Sequence, residues 1–582
     1  MASFYLARVA RHGALAASFL LLTAGAQAQL ISFPGAEGAG RFTSGGRGTA
    51  TTPTTVFEVT DLNDDGQPGS LRYALTTAAA YRTVVFRVSG TIHLTSELRI
   101  TRANTTIAGQ TAPGDGICLA DFPVTVSADN VIIRFIRCRL GDKNQDKGKV
   151  NGSGDGDAFG GLGRKNIMVD HCTMSWSSDE ACTVYRGDST TLQWNIISEP
   201  LDYSYHFETG DSDYERHAYG GIWGGRTASF HHNLLAHMRG RMPRFDGSRN
   251  LSPNTAGQEN ADFRNNVVYN WASYNVNGGE GGNYNIVNNY YKYGPNTGTG
   301  SSGGVPVRAE VLTPYKQNSS PVLPYGKFYL AGNYVESSPA VTNRNWLGVV
   351  MNGGTRADTA VAKVTAPFPL PAINTQSAQD AYTAVLQRAG CVLPTRDALD
   401  QRIVQDVINR TGSLIDVQGG YAHGTPYSTS QAAWPVLNSL PAPTDTDHDG
   451  MPDTWETARG LDPNNAADRA TRGSSGYTAL EEYLNSLTSA VVLAATPAAT
   501  PAVAALQAYP NPTSDQLTLV HPAAQRGALV QVYNSLGQVV HTVAVTPGTV
   551  ETQLSTATLA PGSYLLRYAD GATHLTTRIG RQ

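Results

Sequence analysis

ASFHHNLLAH, residues 228–237, is a short apolar run interrupted by a polar corner, and the chain repeats this arrangement many times. Comparable runs are NIMVDHC (166–172), TLQWNIIS (191–198), DFRNNVVYNW (262–271), YNIVNNYYK (284–292) and FYLAGNYV (328–335). A histidine or asparagine recurs at a comparable point, at His171, Asn195, Asn233, Asn266, Asn289 and Asn333. The intervals of 24, 38, 33, 23 and 44 residues indicate a base period near 23 that loops lengthen.

A repeat of this length predicts a solenoid of short strands. One coil holds too few strand residues to bury its own apolar face, whereas stacked coils form parallel sheets around a continuous interior. Asparagine is favoured at the bends because its side-chain amide can hydrogen-bond from one coil to the next. We therefore expect a parallel β-helix over residues 29–365, with a β-sandwich or a propeller as the alternatives.

The composition supports a strand-rich chain that does not act mainly on nucleic acid. Charged residues make up 15% of the 582 positions, against about 25% in an average protein, and 60 are glycine. The formal net charge of −4 removes the electrostatic case for a nucleic-acid partner. Outside the first residues, no apolar run approaches the roughly 18 residues of a membrane span. Helical patterns occur at 377–391 and 397–411, within a flank at 366–440 that we expect to pack on the solenoid.

Residues 1–28 have the features of a secretory signal. Arg8, Arg11 and His12 precede the apolar stretch 15–25, and Ala26-Gln27-Ala28 is a small-residue cleavage site. Export permits disulfides, but the five cysteines are odd in number and form no CxxC motif. Burial as free thiols is the preferred interpretation, with one pair among Cys118, Cys138, Cys172 and Cys182 left open.

The last 77 residues, 506–582, read as a separate β-sandwich after an Ala/Thr/Pro linker at 491–505. The segments YPNPTSDQLTL (509–519), VQVYNSLGQVV (530–540) and LAPGSYLLRY (559–568) resemble the C-terminal sorting domain of Bacteroidetes proteins exported by the type IX secretion system. The resemblance implies a secreted or cell-surface protein that engages the type IX secretion machinery.

Four acidic residues form the first candidate site. Asp155 and Asp157 lie in the glycine-rich NGSGDGDAFGG, and Asp179 and Glu180 follow about one coil later in WSSDEACTV. Positions one coil apart stack beside each other in a solenoid, so these carboxylates could converge and form an oxygen shell for Ca²⁺. The alternative is a set of solvated turn acids.

Three arginines form the second candidate site. The segment HMRGRMPRF holds three arginines in a span of six residues, namely Arg239, Arg241 and Arg244. Their guanidinium groups can form two-pronged bonds to the carboxylates of an acidic polymer. The alternative is a solvated basic turn. Aromatic residues lie between the two candidate sites, where they either line a sugar cleft or pack loops: Tyr203, Tyr205, Tyr219 and Trp223.

The order of several motifs carries a resemblance to a known family. FPGAEGAGRFTSGGRG (33–48), TIAGQTAPGDGI (106–117), IMVDHCTMSW (167–176), GGIWGG (220–225) and FHHNLLAHMRGRMPRF (230–245) resemble a pectate lyase of polysaccharide lyase family one, in the form found in Bacteroidetes. The resemblance spans roughly 31–350. It implies a right-handed parallel β-helix and a calcium-dependent β-elimination on pectate or pectin, an acidic plant polysaccharide.

The resemblance also assigns roles to residues. It implies that Asp155 and Asp157 bind the catalytic Ca²⁺, with Asp179 as the following ligand and Glu180 as its competitor for that role. The family's next acidic ligand would lie near Thr183, where this chain has no carboxylate.

On the basic side, the resemblance implies that Arg241, in the R-x-P motif of 241–243, is the general base, and that Arg244 supports it. The family's substrate-binding lysine has no match, and we consider His217 or Arg226 in its place, with Arg239 as a further substrate-binding residue. Arginine is normally always protonated, so Arg241 acts either as a base with a lowered pKa or as a charge stabiliser.

Two other functions remain alternatives. A glycoside hydrolase on the same scaffold could use Asp155, Asp157 and Asp179 as its carboxylates, but hydrolysis gives the arginine strip no required role. A non-catalytic polysaccharide-binding protein would use the strip without any chemistry.

A further motif, DTDHDGMPDTWE at 445–456, has the spacing of an EF-hand calcium loop. It predicts a second, structural Ca²⁺ site in a spacer at 441–490, with these ligands: Asp445, Asp447, Asp449, Met451 through its carbonyl, Asp453 and Glu456.

Overall fold

The repeated runs fold into successive coils, whose short strands pair in parallel with the corresponding strands of neighbouring coils. The structure, a computed structural model, describes residues 29–495, 506–522, 524–534, 537–570 and 573–582. Three ladders of parallel strands, called ladder A, ladder B and ladder C below, run the length of the coils. The parallel β-helix predicted from the repeat is confirmed, and the sandwich and propeller alternatives are excluded for this part of the chain.

Ladder A consists of Thr55–Val59, Arg82–Phe86, Thr105–Ala108, Val131–Arg134, Lys165–Asp170, the second half of Cys182–Gln193, Ala228–His231, Asn260–Arg264, Asn283–Val287 and Lys327–Ala331. Ladder B consists of Gly90–His93, Ile117–Ala120, Ile136–Arg139, Thr173–Ser175, Ile196–Ser198, Leu234–Met238, Val267–Trp271, Tyr290–Lys292 and Tyr334–Val335. Ladder C consists of Leu98–Ile100, Val124–Val126, Phe159–Leu162, the first half of Cys182–Gln193, Ile222–Gly225, Arg244–Phe245, Asn277–Gly278 and Thr313–Pro314.

The turn from ladder A to ladder B is made by one residue in the left-handed region. Phe135, His171, Trp194 and His232 occupy this position in successive coils, with φ between 53° and 57°. Their rings stack along the helix, with centroids 5.0, 5.9 and 4.2 Å apart. A left-handed residue costs about 1–2 kcal/mol for an L-amino acid, and stacking between coils offsets part of that cost.

The residue after each corner forms the predicted asparagine ladder. Asn195, Asn233, Asn266, Asn289 and Asn333 each accept from the backbone N–H of the corresponding residue one coil earlier, at 2.8–3.0 Å. In the first of these coils that donor is Cys172, so the prediction that His171 occupies the asparagine position is wrong by one residue. His171 belongs to the stacked corner instead, because its φ of 53° matches that of Trp194.

We expect Asn266→Ala to lower the free energy of unfolding by about 3 kcal/mol, as judged by denaturant titration. The side chain is fully buried, donates to Phe230 O and accepts from both the backbone and the side chain of Asn233. Alanine leaves those partners unpaired inside the protein. Asn63→Ala, at an exposed position, is the matched control and should change stability by less than about 0.5 kcal/mol.

Apolar side chains of equivalent positions stack in columns inside the coils. One column of ladder A, in register from coil to coil, is Ile133, Val169, Leu192, Phe230, Phe263 and Ile286. Each of these side chains is at most 3% exposed. Full burial of such a side chain contributes roughly 1.5–3 kcal/mol, so the columns supply the main stabilisation of the coils.

The α-helices lie mainly outside the ladders. They are Leu71–Thr76, Pro339–Asn343, Thr359–Ala362, Ala378–Arg388, Ala398–Asn409, Tyr427–Ser430, Asp453–Thr457 and Ala479–Ala495. Single turns of 3-10 helix occur at Gly109–Thr111, Ser248–Asn250, Val307–Ala309, Asn345–Gly348, Arg356–Asp358, Gln418–Gly420, Gln431–Ala433 and Asp468–Ala470. A short hairpin pairs Ser301–Ser302 with Val305–Pro306.

The two helices indicated by the patterns at 377–411 cover the outer face of ladder B. Ser377 and Asp397 cap them, each accepting from the backbone N–H three residues on. Their apolar side chains, such as Val385 and Ile403, share a core with outward-facing residues of ladder B, such as Ile196. The flank therefore packs on the side of the β-helix.

Residues 506–582 contain two antiparallel sheets. One consists of Gln507–Tyr509, Gln516–Val520 and Glu551–Ser555, and the other of Leu529–Tyr533, Val539–Ala544, Gly562–Asp570 and Thr573–Arg581. Leu517 and Leu554 of the first sheet and Val530 and Leu566 of the second share one core. This is the predicted C-terminal β-sandwich. The compact unit that contains it begins at Ser489, and the other unit ends at Thr488.

Several sequence expectations concern the cysteines and the ends. All five cysteines lie in the described part of the chain and are free and buried. The signal at 1–28 and most of the linker at 491–505 lie outside the described residues, and helix Ala479–Ala495 extends into the first linker positions. Within the described ranges, the helices are too short or too polar to cross a bilayer.

Candidate functional site

The turns from ladder B to ladder C vary in length, and their last residues meet where ladder C begins. Glu180 pairs with Tyr219, and Tyr219 pairs with Gly240, in consecutive parallel bridges. One coil earlier, Ala158 N donates to Glu180 O at 3.2 Å, which places Asp157 beside Glu180. Residues far apart in sequence are therefore aligned across four coils.

Three carboxylates converge at this edge. One oxygen from each of Asp157, Asp179 and Glu180 lies within 4.8 Å of the other two. Backbone bonds hold the group together, since Glu180 N donates to Asp157 Oδ1 at 3.0 Å and Asp179 N donates to Gly156 O at 3.2 Å. Thr183, where the resemblance implies an acid, hydrogen-bonds to Asp157 through its side chain.

Arg241 completes the cluster from two coils further along. Its guanidinium forms an ion pair with Glu180 and lies 4.3 Å above the ring centroid of Tyr219. It also interacts with the hydroxyl of Tyr274. The Tyr274 ring occupies the space where a side chain at position 240 would lie, 2.6 Å from an ideal Cβ, which explains why glycine stands there.

His217 lies on the other side of Asp179. Its Nε2 is 2.7 Å from Asp179 Oδ1, and its Nδ1 is 2.9 Å from Glu215 Oε1. The ring stacks on His206 at 3.7 Å and is 5% exposed. His217 thus binds two carboxylates and orients Asp179 toward the cluster.

The cluster combines buried negative and positive charges. Burial and the neighbouring Asp179 carboxylate raise the pKa of Asp157 well above its usual range. Burial also favours the protonated form of Asp179, but the hydrogen bond and charge of His217 outweigh it and lower the pKa of Asp179. Despite its own burial, His217 has a pKa raised to about 9 by Asp179 and Glu215, so it is positively charged at neutral pH.

The donor set fits a hard divalent cation. Three carboxylates within 4.8 Å repel one another, and the charge of Asp179 adds to the effect of burial in raising the pKa of Asp157. All three groups offer oxygen, the ligand atom that Ca²⁺ prefers. The side chain of Asp179 remains 21% exposed and that of Arg241 26%, so the cluster is accessible from solvent.

Other predicted site residues lie elsewhere or have partners of their own. Asp155 does not join the cluster, because its side chain is 56% exposed and pairs with Lys147 at 3.2 Å. Arg226 does not join it either, since its guanidinium donates to Gln258 Oε1 and Ser252 O.

The two arginines that flank Arg241 are both held by acids. Arg239 forms a two-pronged pair with Asp202, with both bonds at 2.8 Å. Arg244 is 10% exposed and donates to Glu280 Oε1 at 2.6 Å. Burial lowers the pKa of Arg241, and the positive charge of Arg244 lowers it further.

The aromatic residues separate into three environments. Trp223 is fully buried and donates its indole N–H to Cys182 O at 2.8 Å, so it packs the interior and lines no cleft. Tyr219 lies under Arg241. Tyr203 and Tyr205, in another part of the same loop 199–221, lie against His423, with ring centroids 4.6 and 5.0 Å away.

Sequence reasoning missed Tyr274, although a signal for it exists. Tyr274 follows Arg241 by the same 33 residues that separate Asn233 from Asn266. Because this separation is one full coil, Tyr274 lies beside Arg241. The acids Asp202 and Glu280 have no such signal, because their loops differ in length from coil to coil.

Comparisons with known proteins identify relatives of this chain. The chain is 34% identical over 472 residues to a protein named probable pectate lyase C from Aspergillus flavus, covering 79% of this chain and 94% of that protein. It is 33% identical over 472 residues, with the same coverage, to the protein of that name from Aspergillus oryzae. A putative pectate lyase 11 from Arabidopsis thaliana is 32% identical over 148 residues, or 23% of this chain and 35% of that protein.

Residues 507–580 match the family described as a secretion system C-terminal sorting domain. Among solved structures, pectate lyase C from Erwinia chrysanthemi superposes with a TM-score of 0.35 at 17% identity, covering 63% of this chain and 99% of that one. The cedar pollen allergen jun a 1 superposes with a TM-score of 0.39 at 17% identity, covering 61% and 92%.

Proposed function

This chain belongs to the pectate lyase family, and from that premise we propose that it cleaves α-1,4-linked polygalacturonate by calcium-dependent β-elimination. One observation carries the proposal: three carboxylates and a guanidinium from successive coils meet at one solvent-accessible edge of the β-helix. An acidic sugar bound there would face cation ligands on one side and Arg241 on the other.

Asp157, Asp179 and Glu180 are the residues that would hold the calcium ion. When bound, the ion would neutralise the uronate carboxylate and the charge that develops on it as the neighbouring proton is lost. His217 positions Asp179 for this role and is not itself a ligand in the proposal, because both of its nitrogens already face carboxylates.

The reaction removes the C5 proton of a galacturonate, which is acidic because it lies α to the carboxylate. The electron pair of the C5–H bond forms the C4–C5 double bond, and the C4–O bond to the neighbouring sugar breaks without water. Arg241 is the proposed base. Its burial and the neighbouring Arg244 both lower its pKa, in the direction that proton abstraction requires.

Arg241 also has a second possible role, the stabilisation of charge while another group removes the proton. Its ion pair with Glu180 favours the protonated guanidinium, which suits that alternative. In either role Arg244, held by Glu280, supplies a fixed positive charge nearby. Arg239 extends the positive edge toward a carboxylate-bearing chain and is positioned by Asp202.

The C-terminal sorting domain indicates secretion or the cell surface for the protein. We propose that the signal at 1–28 is cleaved after Ala28 and that the type IX secretion machinery recognises residues 506–582. The enzyme would then meet pectate outside the cell.

The decisive experiment measures the products from polygalacturonate with and without a calcium chelator. We expect an ultraviolet-absorbing unsaturated uronide in the presence of Ca²⁺ and none after chelation. A hydrolase would release reducing sugar without that absorbance, and a binding protein would release neither product. Reducing ends without unsaturated product would therefore overturn the proposal.

A further inference from the structure

A second group of acidic side chains lies in the spacer, away from the edge that carries Arg241. Oxygens of Asp445, Asp447 and Asp449 lie within 4.8 Å of one another, and so do oxygens of Asp449, Glu456 and Asp468. Asp449 belongs to both sets, so the two sets form one cluster, called the spacer cluster below. Asp468 lies twelve residues beyond the end of the predicted loop.

Buried oxygens of the spacer cluster have no hydrogen-bond partner. Glu456 is fully buried and neither of its carboxylate oxygens is bonded, and Asp449, 1% exposed, leaves Oδ2 unbonded. Asp447 Oδ2 and Asp468 Oδ1 are unbonded as well. Buried polar atoms are nearly always satisfied, and unpaired buried carboxylates are especially costly, so these oxygens point to a cation as their partner.

Electrostatics agree with the geometry. Burial and the surrounding acids raise the pKa of Asp449 to about 8 and that of Glu456 to about 7. The same causes raise the pKa of Asp445 and Asp447. Without a cation, the folded protein must hold these groups close together against their mutual repulsion.

We propose that the spacer cluster binds one calcium ion through Asp445, Asp447, Asp449, Glu456 and Asp468, and that this ion fastens the spacer to the first coils of the β-helix. Oxygen donors alone, with several carboxylates from one loop, suit Ca²⁺ better than a metal that prefers nitrogen or sulfur. Gly450, with φ of 92°, makes the sharp turn that such a loop requires.

The proposal replaces one side-chain ligand of the sequence motif. Asp453, which the spacing predicts as a ligand, turns its carboxylate to Thr446 and accepts from both the backbone N–H and the hydroxyl at 2.7 Å. Asp468 takes its place from the following segment, which the loop motif does not include. The site therefore closes only when residues 462–470 fold back onto the loop.

The spacer contacts the outer face of ladder A directly. Met451, fully buried, shares a small core with Val85 and Ala108 of the first coils and with Leu480 of helix Ala479–Ala495. Arg87, which follows a ladder A strand, donates to Pro443 O at 2.5 Å and lies 3.6 Å from Asp445. The loop that holds the cluster is thus the same loop that covers these strands.

The test measures calcium binding to the full chain by titration calorimetry after chelation, alongside thermal unfolding and hydrogen exchange. We expect two classes of site in the wild type, and Glu456→Gln should lose one class while keeping the other. Asp468→Asn should weaken that class at least tenfold, whereas Asp453→Asn should change it by less than about threefold. Calcium should raise Tm by about 3 °C or more in the wild type and less in Glu456→Gln.

Hydrogen exchange identifies what the ion holds in place. Removing calcium should speed exchange of the amides in Thr55–Val59 and Arg82–Phe86, and Glu456→Gln should show the fast rate with calcium present. Unchanged binding in both Glu456→Gln and Asp468→Asn would overturn the site. If Asp453→Asn lost calcium binding while Asp468→Asn kept it, the ligand set would be overturned. Hydrogen exchange that does not respond to calcium would overturn the fastening role. Should Glu456→Gln not fold, Asp468→Asn at its half-buried position decides the question.

Discussion

Replacing Arg241 with alanine is expected to lower kcat/KM on polygalacturonate by about 10³-fold, with the β-helix intact. General acid–base catalysis and oriented charge each contribute on the order of 10²–10⁴-fold, and Arg241 is proposed to supply one or the other. The change removes a partly exposed side chain whose partners are Glu180, Tyr219 and Tyr274, so the asparagine ladder and the interior columns are untouched. The measurement is the initial rate of unsaturated uronide formation.

Two further variants make this result specific. Arg99→Ala removes an exposed arginine that pairs only with Glu97 among the described contacts, and it should retain full activity. Arg241→Lys separates the two roles, because lysine keeps the positive charge but has a lower intrinsic pKa and no guanidinium fork. Activity near the wild-type level in Arg241→Ala would show that neither role belongs to this residue.

Neutralising the carboxylate cluster is the second large effect. Asp179→Asn and Asp157→Asn are each expected to lower kcat/KM by on the order of 10²–10³-fold at limiting calcium, since a bound metal supplies several kcal/mol of charge stabilisation. Part of the loss should be restored by raising the calcium concentration, because the remaining oxygens still bind the ion weakly. Rates measured against free calcium after chelation show this as a shift in the half-saturating concentration.

Asp65→Asn, an exposed turn acid, is the matched control and should leave the calcium dependence unchanged. Asp155→Asn tests whether the resemblance or the structure identifies the calcium ligands correctly. The resemblance implies a ligand at Asp155, whereas the structure pairs it with Lys147, so we expect a loss of about tenfold or less. Equal calcium dependence in Asp179→Asn and the wild type would contradict the proposed ligand set.

Local sequence patterns predicted the repeating part of the molecule well. The apolar runs and the asparagine positions predicted the coils because each coil repeats the same strand, corner and strand, and the corner needs an amide that bonds between coils. Among the corner positions, the prediction was wrong only at His171, which lies one residue before the asparagine position. It arose because histidine is polar like asparagine, although it serves as the stacked left-handed corner in its own coil.

Part of the site was also predicted, where its residues are one coil length apart. Asp157 and Glu180 are 23 residues apart, which is the length of one coil without inserted loops, so their contact follows from the period. Glu180 and Tyr219 are 39 residues apart because the intervening loop is long, and no period indicates that they are neighbours. The arginine cluster in HMRGRMPRF made Arg241 a candidate, and the motif resemblance gave it a role, but spacing could not place it beside Glu180.

By itself, the sequence determined the coil period, the parallel β-helix, the flanking helices and the sandwich, since each depends on short-range patterns of apolar and turn residues. Only the tertiary structure decided which side chains meet: Arg239 with Asp202, Arg244 with Glu280, and Asp468 in place of Asp453 in the spacer cluster. The physical reason is that a side chain's partner is selected by distance and charge in the folded chain. Loops of unequal length bring those partners together from positions that no local pattern relates.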